Sequence, residues 1–368
     1  MSDFGPQDAG HYRHRILGFK NSAPTDVPIN TVRDGIKETG LNTTRLISSN
    51  SSCVAPWVAM VVVLVVTSWI NQHLDLGALH FETDGLIPNS ALAPAQENLQ
   101  SVGHHLLARV AWGVPAIGYS ILACALFLTC AFIVISCFRD VRGHARLQAF
   151  ALIGAAAVTL LALAIFVGSD ILTEPKVTSD LRFATMHRTD ATHVVSIDTM
   201  FDRVGYCAFI ALLVAASSTL VWSNESTPTP ADLRLRLQQL QWLLYFGAAA
   251  LVLRDIEMYM LYRWPGIWFD KEQAVMIDRI ALSLALAHGA FFSAVLFALY
   301  FPTALVLRLR TKLMAADAIA GTRTAPEKWL DKQGLNFSPI RDFASLIAAI
   351  APLIAGGTIA QFVGVLAV

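Results

Sequence analysis

Charged residues are what this sequence has least of. Of its 368 residues, only 15% are Asp, Glu, Lys or Arg, whereas 55% are hydrophobic. Soluble globular domains usually carry about a quarter charged residues, so the composition argues against a soluble enzyme or binding domain. The formal net charge is zero, which gives no reason to expect nucleic acid or another strongly charged partner.

Catalytic and targeting motifs are also missing. No GxSxG, P-loop, GxGxxG or HExxH motif occurs, so the sequence favours a protein that is not an enzyme, and we expect no cofactor. Residues 1–52 are polar and contain Pro6, Pro24 and Pro28 but no apolar core. We therefore expect a largely flexible tail without a cleaved signal peptide, followed by an uncleaved signal anchor.

Metal-binding patterns are absent as well. The five cysteines lie inside or at the edges of apolar runs, and their spacing matches no zinc motif, so we expect buried thiols rather than disulfides or metal ligands. The histidines of the predicted external loops are irregularly spaced, which is typical of surface residues. Only His288 lies deep in an apolar run, which argues against a haem held between helices.

Long apolar runs are what the sequence does contain. Runs of about 20 residues suffice to cross a hydrocarbon core of roughly 30 Å. The pattern predicts an all-α integral membrane protein with six transmembrane helices and a seventh apolar segment at 343–368. The six predicted spans are 54–70, 112–138, 147–168, 205–222, 240–262 and 280–307.

The C-terminal segment 343–368 has two possible courses. Pro352 should kink a helix, and Gly356 and Gly357 should loosen or break it. A continuous helix would cross the membrane, whereas a break at the glycines would give a re-entrant hairpin. One face of the segment is bulky and the other is small. The small face, with Ala348, predicts either close helix packing or the lining of a pore.

The distribution of Lys and Arg gives the orientation. Basic residues cluster before the first span and after the second, fourth and sixth spans, which places the N-terminus in the cytoplasm, with a bacterial inner membrane as the expected location. The predicted organisation is a cytoplasmic tail (1–52), a transmembrane domain (53–307), a cytoplasmic linker (308–342) and the C-terminal segment (343–368). The transmembrane domain would carry two long external loops, 73–111 and 169–204.

Short elements are predicted within the connecting regions. Residues 96–112 have the apolar spacing of an amphipathic helix that leads into the second span. Residues 192–200 alternate like a short strand. In the linker, Thr324 as cap, Pro326 in the first turn and Gly334 after the end predict a helix over 325–333.

The fifth span carries the most informative residues. Arg254, Asp255 and Glu257 lie within an apolar run, where charged side chains usually face a protein interior or a water-filled cavity. Arg254 and Glu257 share a helix face, whereas Asp255 points about 100° away and needs another partner. Counting along the spans places three further polar residues in the same outer half of the membrane: His288, Tyr119 and Ser68.

This predicted intramembrane cluster has two interpretations. It could form an ion or proton pathway or a ligand pocket, or it could consist of ion pairs that fix helix packing. The sequence accordingly leaves four functions open. These are an oligomeric channel or pore, a small-solute transporter (which the absence of an internal repeat disfavours), a non-catalytic membrane subunit or receptor, and a membrane enzyme. The expected partners are the lipid bilayer and either further copies of the chain or other subunits of a membrane complex.

Overall fold

The computed structural model describes residues 50–73, 99–139, 141, 143–171, 192–222, 229–268, 271–319, 325–336 and 347–355. All regular structure in these ranges is helical. There are two short 3-10 helices. One, Asn50–Val54, precedes the first α-helix, and the other, Trp264–Trp268, follows the fifth. The α-helices are α1 (Ala55–His73), α2 (Leu99–Arg139), α3 (His144–Ile171), α4 (Thr192–Thr219), α5 (Pro230–Arg263), α6 (Lys271–Ala318) and α7 (Pro326–Lys332); residues 347–355 are also helical.

Four helical stretches in the described residues are long and apolar enough to cross a membrane. They are Asn50–Thr67, Leu106–Arg139, Ser196–Thr219 and Lys271–Ala318. The described part of the chain is therefore all-helical and has the character of a membrane protein, whereas the count of six spans stays a prediction. The helices α3 and α5 cover the two remaining predicted spans. Charged residues interrupt the apolar run of α5, and the side chains of α3 beyond residue 159 lie outside the described part.

The helix α2 shows how these apolar helices pack. Its buried side chains recur at alternating steps of three and four residues, the spacing of a helix-packing seam. Large apolar side chains also cover its outer face, where Leu128 is 73% exposed. A helix that is apolar all round suits a lipid environment on its outer side. The buried residues of this seam are Trp112, Ala116, Tyr119, Ala123, Leu126, Cys130, Ile133 and Cys137.

The helix α5 lies at the centre of the bundle. It packs against α2 and α6, while α4 packs against α2, and α1 against α6. Its start is fixed by a capping box, in which the Thr229 hydroxyl accepts from the Asp232 N–H and the Asp232 carboxylate accepts from the Thr229 N–H. Pro230 occupies the first turn, where a missing N–H costs nothing. This central position explains why the charged residues of α5 are buried.

Two predicted connections prove shorter than expected. Residues 192–200 are not a strand but the first turns of α4. The alternation of apolar and polar residues that suggested a strand covers few residues and is a weak signal. A helix instead allows Asp198 and Asp202 to contact α5 together. The helix α6 likewise continues to Ala318, so the first residues of the predicted linker 308–342 are helical.

Two shorter helical elements were also predicted from sequence. The helix α2 begins at Leu99, inside the stretch 96–112 that was expected to lead helically into the second span. The helix α7 occupies Pro326–Lys332, and Gly334 follows with a φ of +64°, a left-handed conformation that suits glycine. The predicted cap Thr324 lies outside the described residues, and Ala325 stands in the capping position without a side-chain bond.

The C-terminal helical segment 347–355 packs against α6. The Leu353 N–H donates to the Ser293 hydroxyl oxygen over 3.1 Å. Gly289, one turn earlier on α6, lies directly against the Pro352 carbonyl group. Because Gly356 and Gly357 lie outside the described residues, crossing and re-entry both stay predictions.

Candidate functional site

Arg254 is the centre of a buried charged cluster between α4 and α5. Its side chain forms ion pairs with Asp198, at 2.9 Å, and with Asp202, both on α4. A third ion pair joins it to Glu257, one turn later on α5. Only 4% of Arg254 is exposed, so these are ion pairs of the protein interior rather than of the surface. We call these four residues the Arg254 cluster.

Glu257 connects the cluster to a third helix. Its Oε2 atom accepts from Arg254, and its Oε1 atom accepts from the indole N–H of Trp112 on α2. Both carboxylate oxygens are therefore engaged, and neither solvent nor lipid is needed to satisfy them. The carboxylate joins α2 to α5, while Arg254 joins α5 to α4.

Two aromatic rings flank the guanidinium of Arg254. The Tyr119 ring on α2 and the Phe201 ring on α4 have their centroids 5.8 and 5.9 Å from the guanidinium carbon. The two rings contact each other edge to face, with centroids 5.4 Å apart. Rings at this distance attract a cation through their negative faces.

Carboxylates outnumber guanidinium groups among the described members of the cluster. Three carboxylates contact the one guanidinium, and Asp198 and Asp202 have further partners besides Arg254. Removing charges from water is costly, and the pairing with Arg254 offsets only part of that cost. The side chain of Asp202 is 27% exposed, whereas those of Asp198 and Glu257 are fully buried. Asp202 is thus the member of the cluster that reaches the surface of the described structure.

Asp255 points away from the Arg254 cluster towards α6 and the C-terminal segment. It is 0% exposed, and neither carboxyl oxygen has a hydrogen-bond partner among the described residues. A Cβ atom built on Gly289 would lie 3.2 Å from its Oδ2 atom and 2.5 Å from the Pro352 carbonyl oxygen. Two acceptor oxygens therefore face each other across the space that a side chain at 289 would fill.

Besides Asp255, Ala348 and Pro352, which lie on α5 and the C-terminal segment, the sequence-predicted site residues separate into three groups. Arg254, Glu257 and Tyr119 come together in one cluster. His288 does not join them: its Nδ1 atom lies 2.8 Å from the Leu284 carbonyl oxygen, and its ring stacks on other aromatic rings of α5 and α6. The third group lies outside the described residues. It consists of the side chain of Ser68, Gly356 and Gly357.

Four residues of the site were not predicted from the sequence: Asp198, Asp202, Trp112 and Phe201. Asp198 and Asp202 are four residues apart, a spacing that puts them on one face of a helix, but the strand interpretation of 192–200 hid this signal. Trp112 stands at the start of a predicted span, where tryptophan commonly lies in the headgroup zone, yet it is buried, as are Trp57 and Trp264. Phe201 has no sequence signal, because an apolar residue in a predicted loop does not identify its neighbours.

Below Tyr119, α2, α4 and α5 enclose a narrow apolar crevice. Half of the residues that line it are small, and its walls offer almost no polar atoms. Small residues at such positions allow helices to approach closely, so the crevice is a packing feature rather than a pocket for a polar solute. The small residues are Ala123, Gly205, Ala208, Gly247 and Ala250.

Comparisons with protein-family models, curated proteins and solved structures each gave no match. The function is therefore inferred from the arrangement of side chains. Two features of that arrangement bear on it directly: the three carboxylates that contact Arg254 and the buried carboxyl group of Asp255.

Proposed function

We propose that the protein is an oligomeric membrane channel that conducts cations, and that the Arg254 cluster forms one mouth of its pathway. The observation that carries the proposal is a buried cluster in which three carboxylates contact Arg254, one of them partly exposed. Rings and clusters of carboxylates attract cations into channel entrances and repel anions. The Asp202 side chain is 27% exposed, which would give the cluster access to water.

The position of the cluster along α5 supports a mouth rather than a midplane site. Arg236 and Arg254 are about 18 residues apart, which corresponds to about 27 Å along a helix axis. This is close to the thickness of the hydrocarbon core. If Arg236 lies near one boundary of the bilayer, the Arg254 cluster lies near the other.

Asp255 adds a second oxygen site on another face of α5, at nearly the same depth as the Arg254 cluster. Its carboxyl group lies near the Pro352 carbonyl oxygen and α6, and oxygen ligands of this kind suit a proton or a small cation. Ala348, one turn before Pro352, lies on the small face of the C-terminal segment. We propose that this face lines the conducting route.

Ion flux into proteoliposomes tests the proposal. Vesicles containing the purified protein and a K⁺ gradient should show K⁺ flux at least about ten times the chloride flux, and protein-free vesicles should show neither. Ala348→Phe should reduce the flux by narrowing the route. Ile350→Phe, on the bulky exposed face of the same segment, is the matched control. Equal flux in both variants would show that the C-terminal segment does not line the pathway. A mass measurement in detergent gives the oligomeric state.

A second candidate is a non-catalytic membrane subunit. One observation favours it: the ion pairs and the Trp112 bond of the cluster join three helices of one chain, as a purely structural clamp would. This function predicts no flux, together with a partner that co-purifies at fixed stoichiometry. Flux that saturates with one solute would instead indicate a small-solute transporter.

A further inference from the structure

A second charged site lies at the opposite end of the bundle, where α1 and α5 begin and α2, α4 and α6 end. Its centre is Trp222, which follows α4. The guanidinium carbon of Arg236 lies 5.5 Å from the centroid of the Trp222 ring, and that of Arg310 lies 5.8 Å from it. Both arginines are only 8% exposed. The Trp222 indole ring thus makes cation–π contacts with two buried guanidinium groups.

Hydrogen bonds to neutral groups help to fix this arrangement. The Asn50 side chain hydrogen-bonds the Trp222 backbone in both directions, at 3.1 and 3.0 Å. Arg310 donates to the Leu220 carbonyl oxygen and to the Ser52 hydroxyl oxygen, each over 2.7 Å. These bonds hold the Trp222 backbone and the Arg310 side chain in place, and Arg310 has a further partner besides them.

Arg236 is different, because part of its guanidinium group is unsatisfied. Its Nη2 atom makes a long bond of 3.4 Å to the Cys137 carbonyl oxygen. Its Nη1 atom is buried and has no hydrogen-bond partner among the described residues, and the same is true of the indole Nε1 atom of Trp222. Burial lowers the pKa of Arg236 to about 10, so the group is still a cation at neutral pH. Buried donors of this kind are normally satisfied.

We propose that Arg236, Arg310 and Trp222 bind a phosphate group. The unsatisfied atoms are donors, so the missing partner must be an acceptor. Two guanidinium groups attract an anion, and the planar fork of Arg matches phosphate oxygens. The site lies at an end of the bundle, where the headgroups of anionic phospholipids are found. The phosphate could belong to such a lipid or to a free phosphate ion, and the two sources share the same chemistry.

Lipid binding by the full chain tests this site without reference to ion conduction. The protein is purified in a neutral detergent, and thermal stability and native mass are measured after addition of phosphatidylglycerol, phosphatidylcholine or inorganic phosphate. We expect phosphatidylglycerol to raise the melting temperature and to remain bound, whereas phosphatidylcholine does neither. If inorganic phosphate stabilises equally well, the source is a free anion. If neither phosphatidylglycerol nor phosphate has more effect than phosphatidylcholine, the proposal is wrong.

Variants locate the binding site. Arg236→Gln should weaken binding of phosphatidylglycerol at least about tenfold, because a charge-assisted bond is lost. Trp222→Phe keeps the ring but removes the N–H group, so it should weaken binding by a smaller factor. Arg308→Gln is the control, since it removes the same charge two residues from Arg310. Equal binding by the Arg236 and Arg308 variants would overturn the assignment.

A counter-ion from the chain itself is the competing explanation. Glu225 is three residues from Trp222 and lies outside the described residues. If its carboxylate occupies the site, the wild-type protein binds no phosphate, and Glu225→Gln creates binding that depends on Arg236. Phosphate binding by the wild-type protein that Glu225→Gln leaves unchanged supports the proposal.

Discussion

Gly289 and Pro352 approach each other more closely than any side chain at position 289 would allow. A Cβ atom at 289 would lie 2.5 Å from the Pro352 carbonyl oxygen, well inside van der Waals contact. The absence of a side chain therefore brings the C-terminal segment against α6. The same approach places the Pro352 carbonyl group near the buried carboxyl group of Asp255.

Gly289→Ala should consequently destabilise the protein. The atoms nearest to the new methyl group belong to backbone, which moves less readily than a side chain, so we expect a loss of about 1–3 kcal/mol. The measurement is the free energy of unfolding in mixed micelles, followed by tryptophan fluorescence. Gly154→Ala is the control, because nothing lies within 4 Å of a Cβ atom there and alanine favours a helix. Equal stability of the two variants would contradict the close contact.

Arg254 should be far more important for folding than a surface arginine. Arg254→Gln leaves three carboxylates in a buried cluster without their cation, and breaking a buried pair in this way costs about 3–5 kcal/mol. Adding Asp198→Asn to that variant should restore part of the loss. The partly exposed pair of Arg263 and Asp278, at 3.0 Å, provides the comparison: Arg263→Gln should cost less than about 1 kcal/mol. The free energy of unfolding in mixed micelles is measured for all three variants. Similar losses of this free energy for Arg254→Gln and Arg263→Gln would show that the cluster is not buried.

Trp57 and Ser217 should be coupled energetically. The buried Trp57 indole N–H donates to the Ser217 hydroxyl oxygen over 2.7 Å and joins α1 to α4. A double-mutant cycle with Trp57→Phe and Ser217→Ala should give a coupling energy of about 1 kcal/mol. Ser218→Ala is a suitable control, since that hydroxyl donates to Val214 of its own helix. Additive effects of Trp57→Phe and Ser217→Ala would mean that the two helices do not meet in this way.

Much of the helical framework can be predicted from the sequence, because apolar runs and capping residues are local signals. Thr229, Pro230 and Asp232 identify the start of α5, and Gly334 identifies the end of α7. The beginning of α4 could not be predicted in this way. Its first turns are polar, and only contact with α5 gives Asp198 a reason to be helical and buried.

The site was predictable only in part for the same reason. The cost of burying charge draws attention to Arg254, Asp255 and Glu257 in any apolar run. The identity of their partners depends on which helices are neighbours, and spacing along one helix carries no such information. His288 illustrates the limit: equal depth in the membrane does not bring it into the Arg254 cluster, because it projects from α6 towards aromatic rings instead.

The reversal potential of the current in planar bilayers under a KCl gradient tests cation conduction most directly. The account predicts a wild-type value close to the K⁺ equilibrium potential. Asp202→Asn should shift it towards zero, because this variant removes charge at the exposed edge of the cluster without leaving a buried cation unpaired. Glu272→Gln, an exposed acid in the first turn of α6, should leave it unchanged. Absence of current, a value near the chloride potential, or equal values for the two variants would contradict the account.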